Sequence, residues 1–253
     1  MQPFLSQIWR HPIKSLGAER VNKTVLEKGK TIPWDRRWAL TYKNSRFDIQ
    51  NPRWCPCRTF LRGSIAPLFS AVSAKLNEET GIITLRHPDL NDFTFDLEDE
   101  SSHESFIKWV YPICPKNSPI PTSLCRVPDR GMTDTDYPSI SLNSLSSLSD
   151  LSDHMDLELH PRRFRGNLWV ADLKPWFEEQ LIGRTLRVGE ALLTVEENIV
   201  RCNTTKTNEK TGIRDADTLS VLQDKFGHKN FGMYCKVISS GQIKEGDLVS
   251  VEK

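Results

Sequence analysis

The thiols are the side chains of this 253-residue chain best suited to soft-metal or redox chemistry, and one of them stands in an informative context. In the run Val200-Arg201-Cys202-Asn203-Thr204-Thr205-Lys206, an apolar strand ends at Cys202, and a polar loop follows as far as Gly212. A strand end feeding a loop is a suitable place to present a thiolate toward a cavity. Arg201 favours the thiolate electrostatically, although in regular extended structure adjacent side chains point to opposite faces, which weakens that help. Considered alone, a cysteine is more often a small buried apolar residue. Three further segments supply what such a site needs: Pro12-Ile13-Lys14-Ser15, Trp34-Asp35-Arg36-Arg37-Trp38 and Arg162-Arg163-Phe164-Arg165-Gly166-Asn167. Lysine offers a mobile ammonium and arginine a rigid donor fork, so their convergence would suit a phosphate or other polar anion. Separately, each reads as a solvated surface patch.

The other cysteines, at 55, 57, 114, 125 and 235, form no regular framework. Cys55-Pro56-Cys57 does not match zinc or iron-sulfur spacing, and a structural role is expected for it. The six histidines are dispersed, and dinucleotide-binding, hydrolase-elbow and zinc-helix motifs are absent. A formal net charge of +1 gives no global argument for nucleic acid or membrane binding, so any anion site must be local. The first ten residues lack a secretory pattern and no stretch reaches the roughly 20 apolar residues of a membrane span, so the expectation is a soluble cytoplasmic protein.

The elements that must position these residues are mainly strands. Trp38, Leu40 and Tyr42 alternate onto one face, as do Phe93, Phe95 and Leu97, and Ala191, Leu193 and Val195. Helical signals are short: Ser101 with Glu104 as a capping box before Phe106 and Val110, and Asp172 capping a helix through Phe177 and Leu181 to Gly183. A third helix carries Leu219, Leu222 and Phe226 up to Gly227, and leucines at three-residue intervals predict a short helix within 139–153. The proline-rich stretch 112–128 is read as a connection between two halves, since proline lacks a donor and fixes φ. The expected fold is mainly β with peripheral helices (α+β).

In their order and distribution, Trp9 to Ser15, Asp35 to Trp38, Arg163 to Asn167, Arg201-Cys202 with Thr211-Gly212, Phe231 to Tyr234 and Gly241 to Asp247 make the chain resemble the MOSC family. Within it, the chain is similar to the molybdenum enzymes that reduce N-hydroxylated compounds. The resemblance covers nearly the whole chain and implies an N-terminal β-barrel-like region over 1–113, a connection over 114–121 and a MOSC β-barrel over 122–253. It further implies that Cys202 is the protein ligand to the molybdenum of a pyranopterin dithiolene (the molybdenum cofactor) and so the catalytic residue. Lys14, Ser15 and Arg36 would hold the pterin and phosphate end, with Arg165, Asn167, Arg201 and Tyr234 as further cofactor or pocket contacts. The implied activity reduces small N-hydroxylated compounds with electrons from a separate redox protein, no iron-sulfur cluster being expected in this chain. The alternatives are a non-catalytic cofactor carrier and a sulfur-transfer protein. No nucleic-acid or membrane partner is expected, and a monomer is compatible with this reading. Two departures from the family pattern stand out: Gly166 replaces a common proline, which would loosen that turn, and Asn208-Glu209-Lys210 replaces a more acidic, proline-containing loop.

Overall fold

The computed structural model describes residues 2–117 and 119–252. The chain opens with strands β1 (Phe4–Arg10), β2 (Glu19–Val21), β3 (Lys23–Leu26) and β4 (Trp38–Tyr42), followed by β5 (Ser73–Leu76), β6 (Ile82–His87), β7 (Leu90–Asp96) and helix α1 (His103–Val110). Then come β8 (Pro121–Arg126), β9 (Ile140–Ser144), α2 (Leu145–Met155), β10 (Leu168–Ala171), β11 (Thr185–Val188) and β12 (Ala191–Val200). Helix α3 (Thr218–Phe226) and strands β13 (Asn230–Ser239), β14 (Gly241–Lys244) and β15 (Val249–Val251) complete it. The mainly β class with a few peripheral helices is as the alternating patterns imply.

An eight-stranded sheet in the order β15-β11-β12-β13-β9-β10-β1-β2 organises the molecule, so the first strands of the chain lie in the same sheet as the last. Its inner face buries Leu5, Ile8, Leu142, Leu193, Val195 and Met233. Each such aliphatic side chain is worth about 1.5–3 kcal/mol when fully withdrawn from water. A second core, around Trp38, Leu61, Phe69, Phe95 and Phe106, lies under the three-stranded sheet β5-β6-β7 and α1. There Phe95 and Phe106 stack at 4.9 Å between ring centroids.

The large sheet does not close into the expected barrel. Leu5 N–H donates to Asp247 O (2.8 Å) and Val249 N–H to Pro3 O (2.9 Å), with one isolated bridge between Phe4 and Leu248. The ends therefore touch without a ladder. β1 pairs with β10 along one edge, and β2 takes Ile8–Arg10 of the other, so the segment before β15 meets only the first part of β1, where Gly246 N–H also donates to Leu5 O (2.8 Å). The N-terminal strands outside this sheet likewise form small open sheets among the described residues.

Several local expectations are revised. Within the proline-rich stretch, Pro121–Arg126 is a strand paired with β4, its proline at the first position, where a missing donor costs least. Residues 139–153 are a buried strand followed by a helix that starts only at Leu145, because Leu142 belongs to β9 between β13 and β10. The helix expected after Asp172 is only a 3-10 turn over Phe177–Leu181, preceded by Asp172 and Trp176 in the left-handed region (φ 60° and 63°). Ser101 does not cap α1; its hydroxyl and N–H both go to Asp99, which caps the preceding 3-10 turn. The third helix is as expected, with Asp217 accepting from Ser220 N–H and Gly227 at φ 79° closing it.

Candidate functional site

β12 runs out at Val200, and the chain passes through Arg201 and Cys202 into a 3-10 turn over Asn203–Lys206. Cys202 is exposed, and its Sγ donates to Thr204 Oγ1 at 3.3 Å. Arg201 turns inward. Its Nε donates to Phe231 O (2.7 Å), Nη1 to Phe164 O (2.8 Å) and Nη2 to Asn143 Oδ1 (2.8 Å). All of these acceptors are neutral. Burial pulls the Arg201 pKa down to about 10, with Arg36 adding to the fall and the fields of Tyr234 and Cys202 opposing it.

The position of Arg201 rests on the buried Asn143, which is confined between two glycines. A Cβ at Gly166 would lie 2.1 Å from Asn143 Nδ2, and one at Gly232 would lie 2.3 Å from Asn143 Oδ1. Gly166 is thus required for space, and the expected loosening of that turn is not its effect. The Asn208-Glu209-Lys210 departure is also ordered: Asn208 Oδ1 accepts from Lys210 N–H (2.8 Å) and Thr211 N–H (3.2 Å), and buried Glu209 approaches Arg163 Nε at 3.6 Å. Gly212, at φ 69°, leaves room for Leu68, whose Cα would be 2.6 Å from an added Cβ. In this way the loop beyond Cys202 docks on the N-terminal region.

A cavity of about 160 Å³ opens beside Cys202, and seven of the eight residues expected from the sequence line it: Lys14, Ser15, Arg36, Arg165, Arg201, Cys202 and Tyr234. Lys14, itself buried, donates to Met132 O (2.8 Å) and pairs with Asp134. Arg36 pairs with buried Asp35 and donates from Nη2 to Arg165 O (2.7 Å). Among the described residues, Arg165 has only backbone carbonyls as acceptors, Gly17 O at 3.3 Å and Ile13 O at 3.5 Å. Burial, and then neighbouring Arg36, pull its pKa down to about 9. Ser15, Arg36 and Arg165 all sit at positive φ (68°, 51° and 48°), a conformation that costs a non-glycine residue on the order of 1 kcal/mol or more and persists only where surroundings enforce it. Burial raises the Tyr234 hydroxyl well above the usual phenol range, so it stays protonated.

Asn167 is the exception. It is buried behind the cavity, where Oδ1 accepts from Ser141 N–H (3.1 Å) and Nδ2 donates to Trp9 O (3.1 Å), tying β1, β9 and the start of β10 together. Conversely, Asp134, Cys57, Arg62 and Thr204 line the cavity without having been singled out. Cys57 comes from the Cys-Pro-Cys run read as structural. Burial and then Asp134 raise its thiol pKa, while Lys14 and Arg62 oppose them. The lining carries six cations, at 14, 36, 62, 163, 165 and 201, against the single carboxylate of Asp134. Among the described residues, no three His, Cys, Asp or Glu side chains gather where they could hold a metal ion.

A thiol presented at the end of a sheet strand, in a cavity lined by cations from both halves of the chain, defines the class of site. The matches to known families agree with its setting: the MOSC domain covers residues 129–250 and the MOSC N-terminal beta barrel domain covers residues 2–111. The chain belongs to the MOSC family. It is 24% identical over 279 aligned positions to molybdenum cofactor sulfurase 2 of Culex quinquefasciatus, which covers 94% of this chain and 35% of that protein. Over 95 residues it is 37% identical to the molybdenum cofactor sulfurase of Drosophila grimshawi, covering 35% of this chain and 12% of that one. It therefore spans about a third or less of the length of these relatives. Among solved structures, YuaD from Bacillus subtilis aligns over 99% of this chain and 96% of its own at 13% identity and a TM-score of 0.44. YiiM from Escherichia coli covers 45% of this chain and 54% of its own at 20% identity and a TM-score of 0.34. No helix among the described residues is long and apolar enough to cross a membrane.

Proposed function

We propose that the cavity binds the molybdenum cofactor, with Cys202 as the protein ligand to the metal, and that the protein reduces small N-hydroxylated compounds. The observation that carries this reading is the exposed Cys202 thiol in a cavity where cations outnumber carboxylates. Arg165 and Arg201, held at the cavity without carboxylate partners, leave positive charge that an anionic ligand would neutralise, and a thiolate is a soft donor suited to molybdenum. The donor set therefore fits a phosphate-bearing, metal-binding cofactor.

When bound, that cofactor supplies the two-electron redox chemistry. Cys202 would give up its proton on ligating the metal, so binding depends on pH. Lys14, Ser15 and Arg36 would hold the phosphate and pterin end: Asp35 aims Arg36, and the Lys14 ammonium is anchored on Met132 O and Asp134 with one hydrogen to spare. Arg201, fixed by three acceptors, and Tyr234, protonated, would orient polar groups against the metal side. Asn167 would act through the position of Ser141 and β1, without touching the ligand. Electrons would come from a separate redox protein.

Cys202→Ser replaces the soft thiolate with a hard, poorly ionised hydroxyl of similar size. Its expected result is a loss of most of the molybdenum from purified protein, by elemental analysis, with a thermal melt that matches that of the metal-free wild type. Equal molybdenum in both proteins would overturn the assignment of the ligand. Reduction of benzamidoxime by the loaded protein with an artificial low-potential donor tests the reaction itself; full loading without turnover of any N-hydroxylated compound would leave a cofactor carrier. The names of the sulfurase relatives favour sulfur transfer as the second reading, and a persulfide on Cys202 in metal-free protein, seen by mass spectrometry, would select it.

A further inference from the structure

Of the six cations lining the cavity, Arg62 has no role in holding the site together. Lys14 pairs with Asp134, Arg36 with Asp35, and Arg163 with Asp215 through two bonds of 2.6 and 3.0 Å. Arg165 and Arg201 are tied to backbone carbonyls and Asn143. Among the described residues, the half-buried Arg62 guanidinium forms no ion pair, and its Nε is shut off from water with no hydrogen-bond partner. Such a donor loses hydration without compensation; Arg163 Nε is orphaned too, but both Nη groups of Arg163 are held by Asp215.

The segment of Arg62 borders both the turn that follows Cys202 and the backbone of Ser15, where a Cβ at Gly63 would lie 3.9 Å from Ser15 O. It packs directly on that turn: a Cβ at Gly63 would lie 3.1 Å from Thr204 Cγ2, and Thr204 Oγ1 is the atom that receives the Cys202 Sγ hydrogen. Arg214 Nη2 fastens the same segment through Ser64 O at 2.6 Å. Arg62 therefore enters the cavity lining from a strap packed against the Cys202 turn and tied down by Arg214. Val200, 72% exposed, also lines the cavity and gives it an apolar surface.

We infer that Arg62 is the anion-recognising residue for the substrate, and that the site favours N-hydroxylated compounds bearing a carboxylate over their neutral counterparts. This inference rests on the reductase reading only for the word substrate; recognition of the anion can be measured without turnover. In molybdenum-loaded protein, Arg62→Gln is expected to lower the ratio of kcat/KM for 4-carboxybenzamidoxime over benzamidoxime at least tenfold, mainly through KM, with molybdenum content and thermal melt as in the wild type. Arg62→Lys, which keeps the charge, is expected to restore most of the ratio. Calorimetric titration with 4-carboxybenzamidine and benzamidine, which have no N–O bond to reduce, gives the same comparison as binding. If the reductase reading fails, the wild type still prefers the carboxylate ligand and the glutamine variant does not. An unchanged ratio in both measurements overturns the inference. Loss of molybdenum from Arg62→Gln also overturns it, because Arg62 would then hold the cofactor.

Discussion

Gly166 and Gly232 matter for the atoms they leave room for. Asn143 fills the space a side chain at either position would take, and its Oδ1 receives one branch of Arg201 at 2.8 Å. Gly166→Ala places a methyl where Asn143 Nδ2 now stands, so either Asn143 or the turn at 165–167 must move. Overpacking of this kind costs roughly 1–3 kcal/mol, and each kcal/mol lowers the melting temperature of a chain of about 250 residues by about 2 °C. A melt of Gly166→Ala within a degree of the wild type would show that Asn143 swings aside freely and does not fix Arg201. The same passage explains why replacement of a proline by glycine need not loosen a turn: the backbone freedom that glycine brings is removed by the neighbour packed against it.

At the next scale, the strand-to-helix junction of β9 and α2 links the sheet to the helices outside it. Ser144, buried in the last position of β9, accepts from Ser147 N–H at 3.2 Å and so caps α2. Ser147 in turn donates to Glu178 Oε2 (2.9 Å) and accepts from Trp176 N–H (2.8 Å), fastening the 3-10 turn at Phe177–Leu181 to the helix. Ser144→Ala removes the cap and is expected to destabilise the protein by about 1 kcal/mol. Urea unfolding checks this; a midpoint unchanged at constant slope would mean that the helix start is set by packing of Leu148 and Leu151 alone. That junction is also why the leucine spacing across 139–153 was only half informative. Leu145, Leu148 and Leu151 do share a helix, but Leu142 falls in phase with them by coincidence and faces the sheet core.

Among the buried acids of the described residues, Glu178 is one whose pKa burial raises, and the stability of the whole molecule must follow its titration. Glu178 is fully buried with Oε1 unpartnered, and burial raises its pKa to about 7, against the lowering bond from Ser147. Below the unfolded value of 4.5 both states hold the proton and no penalty exists. As pH rises from there to about 7, the unfolded chain releases its proton while the folded chain keeps it, so stability falls, by at most about 3 kcal/mol once both are ionised. Glu178→Gln is expected to flatten that part of the profile. Denaturant unfolding at pH 5 and pH 8 gives the test: a variant that loses as much stability across the interval as the wild type would assign the loss to other groups.

What the sequence determined by itself is local and compositional. Alternation of apolar residues in β4, β7 and β12, and the cap and stop of α3, follow from side-chain periods and backbone chemistry that act over a few residues. The residues nominated on family landmarks also converge, because Lys14, Arg36, Arg165, Cys202 and Tyr234, scattered over more than two hundred positions, line one cavity. Tertiary structure alone decided which cations remain unneutralised. Arg62 follows no motif, and Asp134, Asp215 and Asn143 claim their partners from distant parts of the chain. It also decided that Asn167 lies behind the cavity, and that the large sheet curls without closing. These outcomes depend on which edges and charges meet across long sequence separations, and burial then fixes the cost of leaving any of them unpaired.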